Sequence, residues 1–223
     1  FSDEPGFKNT FYKKKSTDMG AYEHRIGSPA LALPYNDEVR ARMQRALGFD
    51  PLPHFNLLWY EGDGNGEARA KLRFAYMDAI TAMYQEYFCM RLGNWCRAHG
   101  LMYIGHIIED MNAHARLSCS GGHYFRALQG QDMSGIDIVL HQVMPGMAHY
   151  MHNCSSSGNM VDPAFFHYVL GQLAASMAHQ YPHMKGRAMC EMFGAYGWAE
   201  GLKMMKWLVD HMVVRGINWF VPH

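Results

Sequence analysis

This sequence has little paired cysteine, no excess charge of either sign and no long apolar run, and each absence narrows what the chain does. Its cysteines (Cys89, Cys96, Cys119, Cys154 and Cys190) form no CxxC pair. Cys89 and Cys96 lie on a predicted helix, about 10 Å apart along its axis, too far for a disulfide. Reduced thiols are the simplest reading, and they lean towards the cytoplasm. Basic and acidic residues balance at 20 each, for a formal net charge of 0. Nothing in that balance favours a nucleic-acid partner or an anionic membrane surface, and the Lys13-Lys14-Lys15 run reads as a solvated loop. No apolar stretch approaches the roughly 18 residues of a membrane span, and no signal peptide is visible. The first residue is Phe, not Met, which leaves room for a targeting segment outside the given sequence.

What is present describes a globular chain. Hydrophobic residues make up 49% of the 223 positions and charged residues 18%, enough to bury a sizeable core in one domain or a large piece of one. The 19 Met fit that core, since Met fills irregular gaps.

Taken in order, residues 1–4 read as the end of a strand and 6–35 as a long loop. Asn36 is the predicted N-cap of a helix over 37–47 that stops at Gly48. After an irregular stretch over 50–66, apolar residues at spacings of three and four predict a long helix over 67–99. A buried strand is expected over 101–108, a short helix with loop over 111–134, and a strand over 136–142. Residues 147–160 read as an exposed loop. Asp162 and Pro163 open a helix to about Gln180. A strand over 187–193, a helix over 199–215 and a last strand over 217–221 complete the chain.

Strand alternating with helix argues for parallel strands and crossover helices, an α/β fold. Polar residues gather where the strands end: Glu4, His106 with Glu109, His141 with Gln142, Glu191 and His223. In a (β/α)8 TIM barrel that end is the active-site rim. The expected architecture is therefore the C-terminal part of such a barrel, about strands four to eight, forming one catalytic domain over 1–223 of a longer enzyme.

Counted this way, Glu4 closes the fourth strand and Glu191 the seventh, which resembles the layout of glycoside hydrolase clan A barrels. The local words are similar to those of bacterial glycosidases distantly related to that clan and to family 106 α-L-rhamnosidases. They are Phe-Ser-Asp-Glu-Pro at 1–5, Trp-Cys-Arg-Ala-His-Gly at 95–100 and Gly-His-Ile-Ile-Glu-Asp at 105–110. Gly-Ile-Asp at 135–137, Cys-Glu-Met-Phe-Gly-Ala-Tyr-Gly-Trp at 190–198 and Arg-Gly-Ile-Asn-Trp-Phe-Val-Pro-His at 215–223 complete the set. Their order and spacing over nearly the whole chain carry the resemblance more than any single word.

The resemblance implies hydrolysis of O-glycosidic bonds in plant- or host-derived carbohydrate. Glu4 would be the general acid/base, and Glu191 the nucleophile or the base that activates water. One protonated and one ionised carboxyl are what glycosidic cleavage needs, and two carboxylates near each other push one pKa up. His106, Glu109 and Asp110 would hydrogen-bond sugar hydroxyls, orient the glutamates, or form a structural network. His141 and Gln142 would contact substrate or pack. Tyr196 and Trp198 would stack on a sugar face or anchor their loop. Trp219 and His223 are implied to form the pocket floor. No cofactor is required, although the resemblance allows a calcium ion. The remaining barrel strands and accessory β domains would be further parts of the same chain.

Two rival functions stand beside this one. A metal-dependent barrel hydrolase would use His106, Glu109, His114 and His123, whose spacing matches neither HExxH nor a zinc-finger frame. A non-catalytic carbohydrate-binding remnant would keep its sugar affinity without Glu4 and Glu191.

Overall fold

The computed structural model describes residues 35–59, 66–107, 123–148, 152–154, 159–161 and 163–223. The strand expected at 1–4 lies outside them, and with it Glu4; so do Glu109, Asp110 and His114.

Helix α1 (Asp37–Leu47) starts and stops as its caps dictate. The Asn36 side chain accepts the Val39 N–H, and Gly48, at φ 79°, closes the helix by donating to the Gln44 carbonyl. A 3-10 turn (Leu52–His54) and the short α2 (Asn56–Trp59) follow. Then α3 (Gly66–Met83) runs through a π-helical stretch (Tyr84–Met90) into α4 (Arg91–Ala98), so the long helix is continuous in space but not in hydrogen-bond register. Val39 and Met43 of α1 pack with Leu58 and with Leu72, Tyr76, Met77 and Ile80 of α3 in one apolar cluster.

The second layer begins with α5 (Tyr124–Leu128) and β1 (Ser134–Ile138). Strands β2 (His152–Cys154) and β3 (Asn159–Val161) form an antiparallel pair of their own where a loop is expected. A π-helical turn (Phe165–Val169) leads into α6 (Leu170–Gln180), followed by β4 (Ala188–Met192), α7 (Gly201–Val213) and β5 (Trp219–Pro222). Strands β1, β4 and β5 lie side by side in that order, all parallel.

Because side chains alternate across a strand, one face of this sheet carries Ile136, Ile138, Ala188, Cys190 and Met192. These pack against Leu170, Ala174 and Met177 of α6 and Leu208 and Met212 of α7 in the larger apolar cluster. The Ser134 hydroxyl donates to the Ala174 carbonyl at 2.6 Å, tying α6 to β1. The opposite face carries Gly135, Asp137, Met189, Glu191, Trp219 and Val221, set in register across the three strands.

The barrel expectation is corrected here. Among the described residues the parallel sheet has three strands, and it is not part of a (β/α)8 barrel. Two local causes account for the difference. Residues 101–107 pass beside β1 but form no ladder: the Tyr103 N–H goes to the Asp132 carboxylate at 2.8 Å, and the Tyr103 carbonyl accepts the Asp132 N–H at 2.7 Å. The strand expected over 136–142 starts earlier and ends at Ile138, because Leu140 and His141 take left-handed φ values of 54° and 60°. There the Val139 N–H turns to the Gln142 side chain at 3.1 Å instead of a neighbouring strand.

Candidate functional site

The polar residues on the face of the sheet opposite the helices meet at its carboxyl edge. Glu191 sits on β4, the central strand, with Asp137 of β1 as its register partner. Both point away from the helices, so each carboxylate lies on the face that the apolar cluster does not fill. His106 reaches the same spot because the chain at Gly105 presses onto Gly135. A Cβ on Gly135 would stand 1.7 Å from the Gly105 carbonyl oxygen, so only glycine permits the approach. His223 arrives from the end of β5, its N–H donating to the Met192 carbonyl at 2.9 Å. Gly194 leaves it room: a Cβ there would lie 2.9 Å from His223 Nδ1.

Glu191 is held between two imidazoles. Its Oε2 is 3.3 Å from His106 Nε2, and its Oε1 is 2.9 Å from His223 Nδ1. The hydrogen bond from His106 is the largest influence on the carboxyl and holds its pKa below the ordinary range; the charge of His223 adds to it, and partial burial opposes both. Glu191 is therefore an ionised group at neutral pH. His106 is buried, and its Nδ1 donates to the Ile107 carbonyl at 2.9 Å. A carbonyl only accepts, so the Nδ1 proton is committed. Nε2 then meets Glu191 either as a second N–H on a cationic ring or as a lone pair aimed at a shared cation.

The same geometry brings His106, Asp137 and Glu191 together, with one ligand atom from each lying within 4.8 Å of the others. Two carboxylates and one imidazole do not suit calcium, which takes six to eight oxygen ligands. They suit a transition-metal dication such as Zn²⁺ or Mn²⁺. His123, at the start of α5, is not part of this group.

A cavity of about 500 Å³ opens beside His223, which lines it together with Phe193, Trp198, Glu200, Leu202 and Met205, among others. Trp198 is fully exposed on a 3-10 turn (Trp198–Glu200). Trp219 shares the face of Glu191, in register with Met189, and is about half exposed. Tyr196, by contrast, is buried: its hydroxyl donates to the Val143 carbonyl at 2.8 Å and accepts the Val143 N–H at 3.2 Å. His141 Nε2 lies 3.2 Å from the Tyr196 carbonyl, and Gln142 is buried in the turn it closes.

The structure thus gathers Glu191, His106 and His223, places Trp198 and Trp219 nearby, and uses Tyr196, His141 and Gln142 within the turn that ends β1. Sequence reasoning passed over Asp137 as a site residue. Its signal was the one that exposed Glu191, a carboxylate inside an apolar strand, Ile136-Asp137-Ile138. No protein-family model matches the chain, and no curated protein or solved structure matches it either.

Proposed function

We propose that this chain hydrolyses O-glycosidic bonds. Glu191 is the ionised carboxylate that meets the oxocarbenium-like centre or activates the attacking water, and Glu4 is the general acid/base. The observation that carries the reading is the position of Glu191: at the carboxyl end of the central strand, kept ionised by His106 and by His223, which lines an aromatic cavity. The order and spacing of the glycosidase-like words add to it. The test is the rate of the Glu191→Gln variant on a panel of 4-nitrophenyl glycosides. A loss of at least about 10²-fold in kcat is expected, the usual size of such a term, with the fold retained. An undiminished rate would sink the assignment.

One observation favours a second reading, a metal-dependent hydrolase. His106, Asp137 and Glu191 converge, and the far ring nitrogen of His106 donates to a backbone carbonyl, the way metal-bound imidazoles are usually fixed. Elemental analysis after incubation with Zn²⁺ or Mn²⁺ separates the two. The metal reading expects about one bound ion per chain, abolished by His106→Ala, and activity lost with a chelator. The glycosidase reading expects activity to survive chelation.

A further inference from the structure

The cavity beside His223 is almost wholly apolar where a sugar site needs hydrogen-bonding groups. Phe193, Trp198, Leu202 and Met205 form its walls, and Glu200 and His223 supply its charged and imidazole groups. The walls are presented rather than buried: Trp198 is 104% exposed and Leu202 83%. Gly197 and Gly201, at φ 78° and 62°, bracket the turn that projects Trp198 outwards. Large apolar side chains left in contact with water mark a binding surface. His223 fixes what the surface serves, because it lines the cavity and also contacts Glu191 at 2.9 Å. A group that reaches His223 from the wall is separated from Glu191 by that one imidazole.

We infer that this cavity holds the aglycone, and that the substrates are glycosides of flat aromatic alcohols, such as phenols, rather than oligosaccharides. The inference rests on the glycosidase reading. Four apolar walls fit an aromatic ring plane and offer nothing to the hydroxyls of a second sugar. Glu200 is the carboxylate of the lining, and its Oε1 is shut off from solvent with no hydrogen-bond partner among the described residues. Partial burial raises its pKa from the ordinary carboxyl value. In the reaction the bond between the anomeric carbon and the aglycone oxygen breaks. Water supplies a hydroxyl to the carbon and a proton to the departing oxygen, so the phenol leaves neutral.

The experiment has a binding arm and a rate arm. Free 4-methylumbelliferone is titrated into the full chain and followed by fluorescence. Binding is expected in the wild type and in Glu191→Gln, and is weakened at least tenfold in Trp198→Ala and in Leu202→Asp. Both substituted side chains are exposed, so neither change disturbs the core. No binding at millimolar concentration, or equal binding by both wall variants, overturns the inference. In the rate arm, Trp198→Ala is expected to lower kcat/KM for 4-methylumbelliferyl glycosides at least tenfold more than for methyl glycosides of the same sugars. An equal loss for both series overturns the aglycone assignment. If the dye binds as expected and no glycoside is cleaved, the glycosidase reading fails while the aromatic site stands.

Discussion

Glu191 is the residue on which the proposed chemistry turns, and its environment makes it an ion rather than an acid. His106 and His223 face it directly, and Asp137 is its register partner on the next strand. A carboxyl whose pKa is depressed on folding adds stability above its ordinary range, and that stability is lost as pH falls through the depressed value. Removing His106 takes away the largest depressing influence, so the pKa of Glu191 must rise. The acid limb of the rate profile therefore moves to higher pH in His106→Ala, and the stability difference from wild type shrinks as the medium is acidified. A pH series of kcat/KM with parallel thermal melts checks both; an acid limb that stays put denies His106 its influence. Glu191 was legible in the sequence because a carboxylate at the end of an apolar strand needs a reason to be there. Orienting the glutamates was one of the roles expected of His106; the geometry of the pairing was not legible, since it depends on two glycines, Gly105 and Gly135, letting two segments touch.

At the scale of elements, the helices were read well and the strands less so. Caps are local, so Asn36 and Gly48 announced α1 within their own few residues. The π-helical stretch at Tyr84–Met90 was invisible, because one extra residue per turn barely disturbs an apolar stripe. The segment 101–107 looks like a strand by composition, yet its backbone at Tyr103 bonds to Asp132, a choice no alternation pattern encodes. This contact is what carries His106 to the sheet, and it depends on the bare backbone at Gly135. Gly135→Ala would force a methyl carbon to within 1.7 Å of the Gly105 carbonyl, backbone against backbone, with no side chain to swing aside. Chemical denaturation is expected to show a loss of about 3 kcal/mol, the upper end of overpacking costs. Activity should fall with it, as His106 is displaced. A variant as stable as wild type would mean that 101–107 does not lie against β1.

For the whole molecule, alternation of strand and helix was read as a barrel because the same rhythm serves any parallel sheet whose crossover helices lie on one face. Three strands satisfy it here, and the partition of the core tells more. Among the described residues the larger apolar cluster contains 21 buried residues, from Ile107 to Ile217, and is built on the sheet. The smaller contains 9, from Val39 to Ile80, and is built on α1 and α3. Tyr84 of the long helix packs against the larger cluster, and polar contacts join the two layers beside it. Arg126 meets Asp78 at 2.5 Å, Gln85 meets Gln129, and Arg97 donates to the Gly130 carbonyl at 2.9 Å. Partly exposed pairs of this kind contribute little, about 1 kcal/mol or less each. The apolar cluster holding α1 and α3 is thus smaller than that holding the sheet. The amides of α1 and α3 should therefore open together as one unit and exchange with deuterium on the order of tenfold faster than those of β1 and β4. Adding Arg126→Ala should accelerate the helical unit further while leaving β1 and β4 unchanged. Uniform exchange across both layers would show instead that the continuous helix through 66–98 makes them a single cooperative body.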